Sequence, residues 1–168
     1  LQSGDYAGAL EHFLLADTYP SNQGIGRISN YRKEAQIYFF TGLAYQGLEE
    51  KSKARSFFKK ATETPVGQSE YLYYRGLAQR ELNQEEEARA SARQLNQAGE
   101  EALEKASDPD FFAKFGERTG VDSQTARAWY LIALGHRLSG EDARAKEAFD
   151  QALELLNSLL WARIYAGE

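Results

Sequence analysis

Few residues in this chain have the type and spacing to carry out a reaction. His12 and His136 are its two histidines; they stand alone in separate helical stretches, with no His-x3-His spacing and no accompanying carboxylate pattern. They read as helix-surface or groove residues and not as metal ligands. The acidic runs Glu49-Glu50, Glu85-Glu86-Glu87 and Glu100-Glu101 fall at expected helix starts or on exposed faces, where dipole complementarity and solubility account for them. No Ser/His/Asp set has a nucleophile-elbow context, no phosphate loop is present, and no two carboxylates share an apolar setting. One loop could cradle an anion: Asn22, Gly24 and Gly26, with the Arg27 guanidinium beside them. A lone G-x-G with no strand before it reads first as a turn. No catalytic residue, metal ion or cofactor is expected, which leaves recognition by surface shape as the chemistry to look for.

Bulk properties agree. The chain has 168 residues, 42 % apolar and 27 % charged, which suits one soluble domain with a real core. Ten Tyr, nine Phe and two Trp supply large surfaces for burial, and only three Pro favours helices over a turn-rich β fold. The formal net charge of −5 argues against nucleic acid or an anionic lipid surface as partner, since both need a basic field. No apolar run reaches the ~18 residues a membrane span needs. With no Cys there is no disulfide, thiolate site or cysteine nucleophile; a reducing compartment fits, and the cytoplasm is the expected location.

The elements that would position any site are set by an internal repeat. At an offset of 34 residues Gly42 falls on Gly76, Ala54 on Ala88, Leu43-Ala44 on Leu77-Ala78, and Ile37-Tyr38-Phe39-Phe40 on Tyr71-Leu72-Tyr73-Tyr74. A third copy, with Trp129, Leu134, Ala145, Phe149 and Ala152, follows at an offset of 57, the surplus fitting an insertion around Asp108 to Gly120. A half copy (Gly4-Asp5-Tyr6, Ala9, Phe13, Ala16) opens the chain at an offset of 45, the surplus there fitting the loop Tyr19 to Ser29. A regular period with small residues at fixed places is the signature of stacked helix pairs.

These residues resemble the tetratricopeptide repeat. The first full copy has Tyr38, Gly42, Tyr45, Ala54, Phe58, Ala61 and Pro65 at or next to that family's positions; the second has Gln79, Ala92 and Leu95 at weaker ones, and the third has Ala133 where Gly is usual. The resemblance implies an all-α fold, a right-handed α-solenoid of antiparallel helix pairs. It also implies that the first helix of each pair lines a concave face. The inward positions are then Gln36, Phe39 and Leu43, then Glu70, Tyr73 and Leu77, then Arg127, Tyr130 and Leu134, with Gln46, Arg80 and Arg137 one turn on. The family's carboxylate clamp, built on Lys and Asn, is absent at these positions. Two readings of the face are open: an aromatic groove edged by Arg for an apolar helix or extended segment, or a face filled by the insertion's Phe111, Phe112 and Phe115 or by the chain's own tail.

Caps and breakers divide the chain. A half repeat spans 1–20. A repeat over 30–65 starts at Ser29 or Asn30, runs to about Gly47 and then from Glu50 to Thr62, and is broken by Pro65 and Gly67. A repeat over 69–106 is capped by Ser69, with its second helix from about Gln84 past Glu100. A helical insertion over 107–121 opens on Asp108-Pro109, and Gly120 ends it. Asp122 or Ser123 caps a repeat over 122–157, whose second helix is Glu141 to Leu156, and an apolar tail with Leu159, Leu160, Trp161 and Ile164 makes a capping helix over 158–168. Because the array opens in mid-repeat, the chain is expected to be a fragment of a longer one.

The loop Tyr19 to Arg27, set between Gly4-Asp5-Tyr6 and a helix pair, is similar to the C-terminal repeat segment of large bacterial proteins whose preceding part is β-rich and mutarotase-like. That likeness implies an accessory array in a carbohydrate-related protein. The expected function is non-catalytic docking of a protein, a peptide or the rest of the parent chain. The alternative is a helical accessory part of a carbohydrate-active enzyme, contributing Arg27 and its loop to a neighbouring site. Oligomeric state is not legible.

Overall fold

The structure, a computed structural model, describes residues 4–17, 33–106 and 118–167, with 118–120 as backbone only. Among the described residues there are eight helices and no strand: α1 (Tyr6–Asp17), α2 (Glu34–Gly47), α3 (Lys51–Glu63), α4 (Tyr71–Glu81), α5 (Glu85–Ala106), α6 (Arg118–Ser139), α7 (Asp142–Leu155) and α8 (Leu160–Ala166). The fold is an all-α helical repeat, as the spacing predicts. The helices form two compact units, residues 1–67 with 74–88, and residues 68–73 with 89–168.

Within the first unit, α3 shows why a repeat helix has one buried stripe. Ala54, Phe57, Phe58 and Ala61 recur at helical spacing; Ala54, Phe58 and Ala61 are buried, while Lys51, Lys53, Arg55, Lys59 and Lys60 point outward. α2 has apolar residues on most sides because it has helices on several sides. Phe40 stacks on Phe13 of α1 at 5.7 Å, Phe39 lies 6.0 Å from Phe58 of α3, and Phe40 lies 5.6 Å from Tyr74 of α4. Gly42 is what lets α3 approach, since a Cβ there would fall 2.5 Å from the Phe58 ring. α3 ends where expected: Thr64 is extended, as a residue before proline must be, and its hydroxyl donates to the Lys60 carbonyl at 2.8 Å.

Each helix pair is joined by the same turn. In the first, Glu49 N–H donates to Gln46 O and Glu50 N–H to Tyr45 O; in the second, Asn83 to Arg80 and Gln84 to Gln79; in the third, Gly140 to Arg137 and Glu141 to His136. This is the two-bond helix ending that needs a left-handed residue, and Glu49 (φ 62°), Asn83 (φ 59°) and Gly140 (φ 79°) supply it. Their numbers differ by 34 and 57, the repeat offsets. Glu49 is the poorest residue of the three for that conformation, because a left-handed φ presses its Cβ on the next carbonyl at a cost of about 1 kcal/mol. Glu49→Gly is therefore expected to stabilise the chain by about 0.5–1 kcal/mol, read as a higher urea midpoint with an unchanged slope.

In the second unit, α5 and α6 run antiparallel and close, Asn96 facing Gly135 and Gly99 facing Ile132. α6 packs on α7, whose Ala145, Phe149 and Ala152 have no exposure. α8 lies against α7, with Tyr165 stacked on Phe149 at 6.0 Å and Ala162 fully buried.

One expectation needs correction. α6 begins at Arg118, so Gly120 does not end a helix there, and Asp122 and Ser123 lie inside one; glycine stops a helix only where it leaves helical dihedrals. The tail forms a helix in which the apolar residues Leu160, Trp161 and Ile164 are exposed (63 %, 42 % and 47 %). Its inward contacts come from Ala162 and Tyr165. The Ser29/Asn30 cap, the loop Tyr19 to Ser29 and the insertion from Asp108 through Phe115 lie outside the described residues.

Candidate docking surface

The expected concave positions divide between the units, and the structure treats them differently in each. In the first unit Phe39 is core, 6 % exposed and enclosed by Phe40, Phe58 and Tyr74. Gln36 Nε2 donates to the Tyr74 hydroxyl at 2.7 Å, which fixes α2 against α4. One to two turns on, Leu43 and Leu77 are half-buried and Gln46 and Arg80 exposed, with Gln46 Nε2 donating to Glu81 Oε2 at 3.2 Å. A strip of two leucines flanked by an amide and a guanidinium is thus left at the surface.

In the second unit the aromatic floor is closed. Tyr73 is 5 % exposed and meets the Tyr165 ring edge-on at 5.5 Å; Tyr130 is 9 % exposed and 6.1 Å from Phe149; Leu134 has no exposure. Burial pushes the Tyr130 phenol far above the usual range, and the nearby Tyr165 and Glu70 push the same way, so this group stays neutral. Arg137 Nη1 donates to the Tyr165 carbonyl at 3.1 Å, and its guanidinium lies 5.8 Å from that ring. Arg127 is exposed and Glu70 half-buried. Of the two readings left open for this face, the tail occupies it here: Tyr165 of α8 sits among Tyr73, Tyr130 and Phe149. Those aromatic side chains, like Phe39 in the first unit, pack the interior.

Nothing among the described residues gathers three metal-type ligands. His12 is exposed, while His136 meets Glu141 across the α6–α7 turn, Nδ1 to Oε2 at 2.7 Å, with Arg144 Nη1 also 3.2 Å from that oxygen. The hydrogen bond from His136, then that from Arg144, holds the Glu141 carboxyl below its ordinary range. The pair ties one helix to the next, and His136 and Arg144 also line an open cleft of about 690 Å³ between α6 and α7, with Trp129, Ile132 and Glu147. Asn22, Gly24, Gly26 and Arg27 fall outside the described residues. No described helix is long and apolar enough to cross a membrane.

Antiparallel pairs with a small residue at Gly42, Ala54 and Ala61, repeated at one register with one turn type, are the geometry of a known repeat. A family model for the tetratricopeptide repeat matches residues 35–64 and 126–155. The chain carries tetratricopeptide repeats. The two matches cover α2 with α3 and most of α6 with α7. No curated protein and no solved structure matches the chain. Tetratricopeptide repeats generally mediate protein–protein interaction, through the faces that stacked pairs present.

The sequence reading missed one surface feature, an aromatic–cation edge on α2 and α3. Lys53 Nζ lies 5.2 Å from the Tyr45 ring centre and Lys60 Nζ 4.4 Å from that of Phe57, while Phe57 stacks on Tyr45 at 5.4 Å. The available signal was the spacing of Lys53, Phe57 and Lys60, which puts them on one side of α3.

Proposed function

We propose that the chain is a non-catalytic docking scaffold, and that the first unit's strip of Leu43, Gln46, Leu77 and Arg80 is where a polypeptide seats. The observation that carries this reading is the contrast between the units: α8 covers the equivalent aromatic floor of the second, while the first keeps two half-buried leucines beside exposed polar ends. Apolar contact on the leucines would supply affinity, and the Gln46 amide and Arg80 guanidinium would orient backbone carbonyls or a carboxylate of the guest. A role as accessory array in a larger bacterial protein suits this reading, with the guest then a segment of the parent chain.

The test is to select peptides from a random display library on the 168-residue chain and titrate the winners calorimetrically. Arg80→Glu is expected to weaken them at least tenfold, about 1.4 kcal/mol, with an unchanged circular dichroism spectrum. Peptides that bind the Arg80→Glu chain equally well would place docking elsewhere.

A further inference from the structure

One place in the repeat is filled by a ring in the first helix pair and hollow in the third. In the first pair Phe57 of α3 lies beside Tyr38 and Tyr45 of α2, with ring centres 6.1 and 5.4 Å away. Lys60 Nζ sits 4.4 Å over the Phe57 ring, and together they close that flank of the seam between the helices. Phe58 and Phe149 share one register, so the third pair has Ala148 where the first has Phe57. By the same register Trp129 stands for Tyr38, His136 for Tyr45 and Gln151 for Lys60. Tryptophan adds less bulk to tyrosine than is lost from Phe to Ala and from Tyr to His. The open cleft of about 690 Å³ between α6 and α7 lies at this place.

The cleft belongs to the middle of the fold. Its lining comes from α6 and α7 alone, on the flank of α7 turned away from α8. Arg144, Ala148 and Gln151 line it, whereas Leu153 and Asn157, on the other flank at helical spacing, border a separate hollow beside Arg163 of α8.

Its floor is apolar and its rim acidic. Trp129 is half-buried, and Ile132 and Ala148 are 7 % and 4 % exposed. Arg144 is bound to Glu141 and Asp150 to Lys146, each at 3.2 Å, so those charges offset in place. Glu147 and Glu154 are exposed and pair with no cation among the described residues. The first pair has the neutral Ser56 at the place of Glu147 and a lysine at that of Gln151. A cleft without its ring, whose rim has lost a cation and gained a carboxylate, is complementary to a guest that brings ring and cation together.

We infer that this cleft seats an aromatic side chain of a partner polypeptide that carries a lysine or arginine close by. The guest ring lies on Trp129 and Ile132 in the place that Phe57 takes in the first pair, and the cation lies above it near Glu147 and Glu154. The site adds a second docking place to the scaffold reading. It shares no residue with the strip of Leu43, Gln46, Leu77 and Arg80, so Arg80→Glu leaves it intact and either idea can fail without the other.

The chain has two tryptophans, so the indole N–H signals of Trp129 and Trp161 in a nitrogen-edited NMR spectrum, assigned with Trp161→Phe, provide the test. The probe is the peptide acetyl-Gly-Lys-Phe-Gly-Lys-Gly-amide, titrated to ~10 mM, which covers the affinity of a single ring and its cations. The Trp129 signal should move to saturation while that of Trp161 stays. Replacing the probe's Phe by Leu, or its Lys residues by Glu, should weaken binding at least fivefold. Ala148→Phe returns the missing ring to the cleft and should abolish the shift while keeping the helical circular dichroism signal. If that variant loses helix, Glu147→Lys combined with Glu154→Lys, both at exposed positions, carries the test. The double variant should bind the basic probe at least tenfold more weakly and the Glu-bearing probe better than the wild-type chain does. A Trp129 signal that stays still, a Trp161 signal that moves as far, a probe that binds equally without its ring or its cations, or variants that bind as the wild type does each overturns the proposal.

Discussion

Phe149→Ala is expected to cost about 3–5 kcal/mol, the range for emptying a fully buried aromatic site. Phe149 has no exposure and lies between Tyr130 at 6.1 Å and Tyr165 at 6.0 Å. Its ring therefore holds α7 to α6 on one side and to α8 on the other. Truncation removes the transfer energy of the ring and leaves a void that rigid neighbours fill only in part; Tyr165 also loses the surface it stacks on. Urea denaturation followed by circular dichroism measures the loss, and amide exchange should show α8 opening first. Phe57→Ala is the comparison. Phe57 is half-buried at the aromatic–cation edge of α3, and its loss should cost less than half as much. Equal costs at the two sites would mean that Phe149 is not the keystone its contacts make it.

The same residue marks how far the sequence could be read. Phe149 falls on Phe58 at the repeat offset, and the small residues three and four places away carry the pairing, so the helix pairs and their turns are legible from spacing alone. Glu49, Asn83 and Gly140 take one left-handed turn in three different residue types, which a search for glycine would find only once. Occupancy of the face is another matter. The repeat register can say that Tyr73 and Tyr130 point toward a groove, yet whether that groove stands open depends on a helix far along the chain. α8 is short, with a sequence that shows apolar residues on every side, so nothing local says whether Trp161 or Tyr165 turns inward. The start of α6 failed for a related reason. Asp122 and Ser123 are good caps as isolated residues, but cap preference amounts to about 1 kcal/mol and yields to a longer helix with packing behind it. Spacing thus places Phe39, Tyr73 and Tyr130 on their helices and leaves their exposure open, which packing alone decides.

Close approach makes the second large prediction, at Gly135. A Cβ there would meet the Asn96 side chain and come 2.9 Å from the Ala92 carbonyl oxygen of α5; a Cβ at Gly99, one turn along the same crossing, would come 2.7 Å from the Ala128 carbonyl oxygen of α6. A side chain can swing away, but a helix carbonyl moves only with its helix. Gly135→Val should therefore force α5 and α6 apart and cost about 3 kcal/mol, the upper part of the overpacking range, although replacing a helical glycine would by itself favour the helix. Asn96 sharpens the argument. Its buried Oδ1 accepts no hydrogen bond, so it faces the Gly135 backbone with nothing to hold it, and Asn96→Ala would clear room for a small side chain there. In a double-mutant cycle, Asn96→Ala should recover only part of the Gly135→Val loss, since the Ala92 carbonyl remains. Gly99→Ala should cost less in the Gly135→Val background than alone, because helices already parted leave space for the second methyl, a coupling of about 0.5–3 kcal/mol. Strict additivity of Gly99→Ala and Gly135→Val in urea denaturation would mean that the two glycines do not share one helix crossing.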